Sequence, residues 1–305
     1  MNNTKLEAIL GCGGSGKLLT NDTLVLTPNG FIKNKDLVLG EAVICEDGTP
    51  TKILNIWEGK NLNIYRVSFH DDTYIDACED HLWKVQTPKM RQSNSTYKVL
   101  DTKTLLKDFK HKNSVRGYKY SIPLCAPVNF KKQVLPLHPY LLGYLLGNGC
   151  LHDQVKVSCH QNDVLEIKNK FDKLLPSCIN SVICKTPIGT LSAGFRLSAK
   201  IKDILEDLGL LFTYSNNKFI PYNYLHSCIE DRLEILKGLM DSDGSISLKK
   251  SGVRSISFST TSLQLLKDVS FLVRSLGGIS KETTNNRKEK GIEYSSFIRI
   301  DKNIF

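Results

Sequence analysis

The chain has 305 residues, with 41 Lys and Arg against 31 Asp and Glu, for a formal net charge of +10. Hydrophobic residues at 41% and charged residues at 24% exclude the disordered, collagen-like and low-complexity classes, and the basic surplus points to a polyanionic partner, nucleic acid ahead of membrane. No run of about 18 apolar residues occurs, and Lys5 and Glu7 interrupt what a secretory leader would need, so a soluble, intracellular protein with no membrane partner is expected.

The first element in chain order is a contradiction. Glu7-Ala-Ile-Leu-Gly-Cys-Gly-Gly-Ser-Gly-Lys17 reads as a short strand followed by a phosphate-cradling loop, with Gly11, Gly16 and Lys17 at its fixed positions. Such a loop continues with Ser or Thr and a helix. Here Leu18 and Leu19 follow, and Thr23-Leu-Val-Leu-Thr27 opens a β-type run closed by the turn Pro28-Asn29-Gly30. The magnesium-binding hydroxyl is missing, which argues against a working ATPase, and the motif stops directly after its lysine, as if something were inserted there.

Short strands at close spacing are expected next, over 36–40, 41–45, 53–57 and 65–69, giving a compact all-β unit to about residue 127. It contains Asp76-Ala-Cys-Glu-Asp-His81-Leu-Trp and passes into a proline-bearing extended connector, Tyr120-Ser-Ile-Pro-Leu-Cys-Ala-Pro-Val128.

From Pro136 the pattern alternates helices and strands. His138-Pro-Tyr-Leu-Leu-Gly-Tyr-Leu-Leu-Gly-Asn-Gly149 is an apolar helix with Gly143 and Gly147 four apart, and Arg232-Leu-Glu-Ile-Leu-Lys-Gly-Leu-Met-Asp-Ser-Asp-Gly244 repeats it. Strands over 154–158 and 255–260 follow, then amphipathic helices over 162–175 and 262–276. A repeat of about ninety residues implies pseudo-twofold symmetry. Small residues let two helices approach backbone to backbone, and an acidic residue ending each would meet its mate on the axis, where paired carboxylates need a divalent cation between them. Ser295–Ile300 is expected as a late strand of the second repeat.

Nine cysteines scattered along the chain are read as reduced thiols. Cys150, His152, Cys159 and His160 lie close in sequence, but they lack the paired steps from which one turn offers a zinc ion two ligands.

Two resemblances rest on these residues. The run from Leu18 to Gly30, Asp36-Leu-Val-Leu-Gly40 and Cys78-Glu-Asp-His81 resemble the N-terminal splicing half of an intein in the Hint fold. This implies that Leu18 occupies the position of the splicing nucleophile, where a thiol or hydroxyl is needed, that Cys78 stands where a threonine is usual, and that His81 matches the histidine that protonates the departing amide. Leu236-Lys-Gly-Leu-Met-Asp-Ser-Asp-Gly244 and Leu141-Leu-Gly-Tyr-Leu-Leu-Gly-Asn-Gly149 resemble the paired motifs of LAGLIDADG, or DOD-type, homing endonucleases. That resemblance places Asp243 and Asn148 as catalytic and metal-binding positions, Asn148 standing where the family has Asp, with Mg2+ as cofactor, Lys156 as an assisting cation and double-stranded DNA as partner.

The implied organisation is multidomain. A host ATPase segment over 1–17, acting as extein in cis, precedes an incomplete all-β Hint-like splicing domain over 18–130. An α+β endonuclease domain over 131–305 follows, with a pseudo-twofold αββαββα repeat over about 134–230 and 231–305. The second repeat reads as incomplete, which suggests a missing C-terminal half. A decayed DNA-binding protein is the alternative.

Overall fold

The computed structural model describes residues 6–9, 19–59, 62–93, 96–109, 118–185, 189–248, 254–287 and 291–299. Gly11, Gly16, Lys17 and Leu18 lie outside the described residues. The chain divides into two compact units, Met1–Asn129 and Phe130–Phe305.

The first unit is rich in β-structure. Its strands are β1 (Leu6–Ile9), β2 (Leu19–Thr20), β3 (Leu24–Thr27), β4 (Gly30–Lys33), β5 (Ala42–Ile44), β6 (Pro50–Lys52), β7 (Ile56–Gly59), β8 (Ile64–Ser68), β9 (Tyr74–Cys78), β10 (Leu82–Val85) and β11 (Lys98–Asp101), with the short helices α1 (Pro88–Gln92) and α2 (Thr102–Lys107). One sheet runs β7-β1-β2-β9-β8, and three two-stranded ribbons pair β3 with β4, β5 with β6 and β10 with β11. The β3–β4 turn closes as its residues dictate: Gly30 adopts φ +102°, and the Thr27 hydroxyl donates to the Gly30 carbonyl at 2.7 Å. Gly48 carries φ +80°, and a Cβ there would lie 2.1 Å from the Pro127 carbonyl oxygen.

The strand expected over 36–40 does not form. Asn34–Asp36 make a 3-10 turn, Leu37 turns into a small core with Val43 and Ile53, Val38 and Leu39 face solvent, and Gly40 reverses the chain at φ +83°. The turn-forming residues on both sides outweigh the β propensity of the apolar triplet. Neither short helix was foreseen. Thr87 and Asp101 cap them by accepting from the Met90 and Thr104 backbone N–H groups, a local signal too brief to show as periodicity.

The second unit contains two copies of one motif. The first comprises α3 (Pro139–Asn148), β12 (Gly149–Leu151), β13 (Val155–His160), α4 (Val164–Leu174), β14 (Ser181–Ile183), β15 (Ser192–Leu197) and α5 (Ile201–Asp207). After α6 (Tyr222–Leu225) the second comprises α7 (Ile229–Asp243), β16 (Gly244–Leu248), β17 (Arg254–Thr260), α8 (Leu263–Ser275), β18 (Ile279–Arg287) and β19 (Gly291–Arg299). The sheets share one strand order, β12-β13-β15-β14 and β16-β17-β19-β18. Their registers correspond, since Gly149 faces Val157 as Gly244 faces Phe258.

The two long helices hold the unit together. A Cβ on Gly143 would stand 2.2 Å from the Ile235 carbonyl oxygen, and one on Gly238 would stand 2.1 Å from that of Tyr140. No side chain fits at either crossing, so the backbones touch. Leu141, Leu142, Leu145, Leu146, Ile235, Leu236 and Leu239 form the middle of the buried core around this contact. Arg232 in the first turns of α7 is fully buried and donates to the Ser227 carbonyl and to the Ser275 carbonyl and hydroxyl, which fixes α7 against the end of α8.

Candidate functional site

Both long helices end in the same way. Asn148 is the last residue of α3 and Asp243 the last of α7, and each is followed by a glycine that turns into the first strand of its sheet. At Gly147 the approach is closest: a Cβ there would lie 1.9 Å from Ser242 Oγ and 2.9 Å from Asp243 Oδ2. Asn148 Nδ2 donates to the Ser242 carbonyl at 3.3 Å, and the Asn148 side chain is also hydrogen-bonded to Tyr144. The structure therefore brings Asn148 and Asp243 together at one end of the helix pair.

Their electrostatics differ. Burial pushes the Asp243 carboxyl up from its ordinary value, and the positive charge of Lys218 pulls it back. Asn148 is neutral at every pH. Lys218, which sequence reasoning missed, is only 4% exposed and donates from Nζ to the carbonyls of Gly149 at 2.7 Å, Leu145 at 3.1 Å and Gly147 at 3.3 Å. All three donors of the ammonium are thus engaged on the C-terminal turn of α3, where unpaired carbonyls and the helix dipole favour a cation. Burial lowers its pKa to about 8, with Asp243 and then Cys150 opposing the shift. The signal in the sequence was slight, a single lysine in an irregular stretch between the repeats.

Lys156 stands on the sheet that follows α3. It sits exposed on β13, paired across the strands with Cys150 on one side and with the exposed Arg196 on the other. Val155, Val157, Phe195 and Leu197 alternate with it into the core, so the opposite face of this sheet presents adjacent cations. Among the described residues no group of three His, Cys, Asp or Glu side chains is placed to hold a metal ion. The donor set at the helix ends is one carboxylate and one amide, which suits a hard divalent ion whose remaining ligands come from substrate phosphate and water.

In the first unit, Cys78 ends β9 and is buried, and the His81 N–H donates to the Cys78 carbonyl at 3.2 Å across a tight turn. Burial raises the Cys78 thiol pKa, against backbone N–H groups of Asp80 and His81 that stabilise the thiolate. The His81 ring meets Trp83 edge to face at 4.8 Å, and the Trp83 indole N–H donates to Thr102 at 2.9 Å. Leu19 in β2 pairs with Ala77, the residue before Cys78.

No helix among the described residues is long and apolar enough to cross a membrane. Residues 230–302 match the family described as LAGLIDADG-like domain. The chain is 25% identical over 313 residues to the replicative DNA helicase DnaB of Mycobacterium intracellulare, covering 96% of this chain and 49% of the helicase, so it spans about half the length of that relative. Solved structures of the homing endonuclease I-DmoI are similar to it at low level. Mesophilic variants of that enzyme share 16% identity over 53% of this chain and 88% of theirs, with a TM-score of 0.38. The complex of I-DmoI with DNA and Ca shares 16% over 53% and 82%, with a TM-score of 0.37. The family match thus falls on the second repeat, running from the start of α7 through β19.

Proposed function

We propose that this chain is an intein-borne DNA endonuclease of the LAGLIDADG kind, seated in the phosphate loop of a DnaB-type replicative helicase, and that it nicks one strand of double-stranded DNA. The observation that carries the reading is the meeting of α3 and α7 at their last residues, with one carboxylate at Asp243, a neutral amide at Asn148 and a buried ammonium at Lys218 on the carbonyls of Gly147 and Gly149. The basic face of β13 and β15 supports phosphate contacts. The helicase similarity across 96% of the chain supports the host.

Asp243 and Asn148 would hold a divalent cation, with Mg2+ the expected ion. When bound, such an ion supplies Lewis-acid stabilisation of the charge that grows on the scissile phosphate. The chain's own residues do the rest. Lys218 has no free N–H to give away, so its role is that of a held positive charge that favours the ionised form of Asp243 and opposes the effect of burial. Asn148 can offer an amide oxygen but no negative charge, and only one strand therefore meets a competent carboxylate.

The test is a supercoiled plasmid carrying the uninterrupted helicase gene, incubated with the chain and Mg2+. Nicked circles are expected, and Asp243→Asn should abolish them. Nicking by Asp243→Asn at the wild-type rate would refute the site. Splicing is not expected of this chain. Leu18 offers neither thiol nor hydroxyl, whatever the turn of Cys78 and His81 supports, so intact mass should show an uncleaved chain, and thiol-induced loss of residues 1–17 would contradict this.

A further inference from the structure

The Lys218 ammonium is fixed by the first repeat, but its backbone is held by the second. The Ser262 hydroxyl, at the N-cap of α8, accepts from the Leu265 N–H and donates to the Lys218 carbonyl at 2.6 Å. Two residues on, the Ile220 N–H donates to Asp268 Oδ2 at 2.8 Å, and Gln264 Nε2 donates to the other carboxylate oxygen at 2.8 Å. Both peptide groups flanking Phe219 are thereby attached to one helix. Ser262 and Asp268 are themselves buried, so these bonds are shielded from water and costly to leave unmade.

A carboxylate is an expensive way to satisfy one backbone N–H in a core. Burial raises the Asp268 carboxyl while the Ile220 N–H and Gln264 amide lower it. Its placement makes sense if the position of this segment matters to the atom. The Lys218 side chain bridges from the start of α8 to the carbonyls at the end of α3. A shift of its backbone would withdraw the ammonium from Gly149 and Gly147 and so from the neighbourhood of Asp243. We propose that Ser262 and Asp268 are positioning residues, through which the second repeat sets where the Lys218 ammonium stands over the helix end of the first. The inference rests on the endonuclease reading for its catalytic meaning, but the positioning itself can be measured without cleavage.

The experiment is brief acylation of the full chain with acetic anhydride, read lysine by lysine by peptide mass spectrometry, with the exposed Lys156 as internal reference. Lys218 should label slowly in the wild type. Ser262→Ala and Asp268→Ala should each raise the Lys218 to Lys156 labelling ratio about fivefold, the factor for losing the one buried hydrogen bond that each side chain makes to the 218–220 segment. Asp268→Asn keeps an acceptor for the Ile220 N–H and should keep Lys218 protected, an outcome that a requirement for the charge alone would not give. If Asp268→Ala fails to fold, Ser262→Ala decides. A labelling ratio unchanged in Ser262→Ala, or an Asp268→Asn variant that stays folded yet labels as fast as the alanine variants, overturns the proposal. The same proteins are then assayed for plasmid nicking with Mg2+. Absence of nicking in every protein, wild type included, counts against the endonuclease reading and leaves the labelling result to stand.

Discussion

The two repeats share strand order and register, yet they bury their sheets differently. Leu151 and Val155, paired on the first sheet, are 0% and 2% exposed, whereas their counterparts Ile246 and Ile256 are 72% and 40% exposed. In the first repeat α5 follows the sheet, and its Ile201 and Leu205 join the same buried cluster. Among the described residues no helix follows β19. The two sheets thus share pairing and register and differ in how deeply their first hairpins are buried. The helix ends reverse the asymmetry, for the well-covered repeat carries the neutral Asn148 and the open one the carboxylate of Asp243.

This contrast can be broken at several points. Leu151→Ala should cost about 2–5 kcal/mol in denaturant unfolding, because it leaves a cavity in a closed core, while Ile246→Ala should stay within about 0.5 kcal/mol. Equal losses at the two sites would show that the second sheet is as well covered as the first.

A slightly smaller effect belongs to Lys218. Its pKa falls from the ordinary 10.5 to about 8 on folding, so the unfolded chain binds more protons between those values and stability must rise with pH across that window. Below about pH 8 the buried ammonium costs the fold about 3 kcal/mol, a cost relieved by about pH 10.5. Lys218→Met should remove this rise from unfolding curves taken across the window. An unchanged pH dependence would mean that Lys218 is solvated rather than seated on α3.

Much of the second unit was legible in the sequence because its signals are periodic. Gly143 and Gly238 declare a close helix crossing, the apolar spacing gave α4 and α8 to within two residues, and Asn148 and Asp243 occupy the equivalent positions at which the helices end. Lys218 was not legible. Its importance comes from burial and from three carbonyls supplied by a helix about seventy residues earlier, and neither leaves a local pattern. For Lys156 the strand pattern was legible, since alternation along β13 sends it to the exposed face beside Arg196. The segment at 36–40 shows the same limit in the first unit, where three apolar residues look like a strand but Gly40 and the turn at Asn34 divide them between core and solvent.

The central claim is that the site has one competent carboxylate because Asn148 stands where Asp243 has its counterpart. The most direct measurement compares the chain with Asn148→Asp on a supercoiled plasmid bearing the uninterrupted helicase gene and Mg2+. The account predicts nicked circles from the chain as it is and linear product from Asn148→Asp, which restores an anionic donor at the end of α3. Efficient linearisation by the unmodified chain would contradict it.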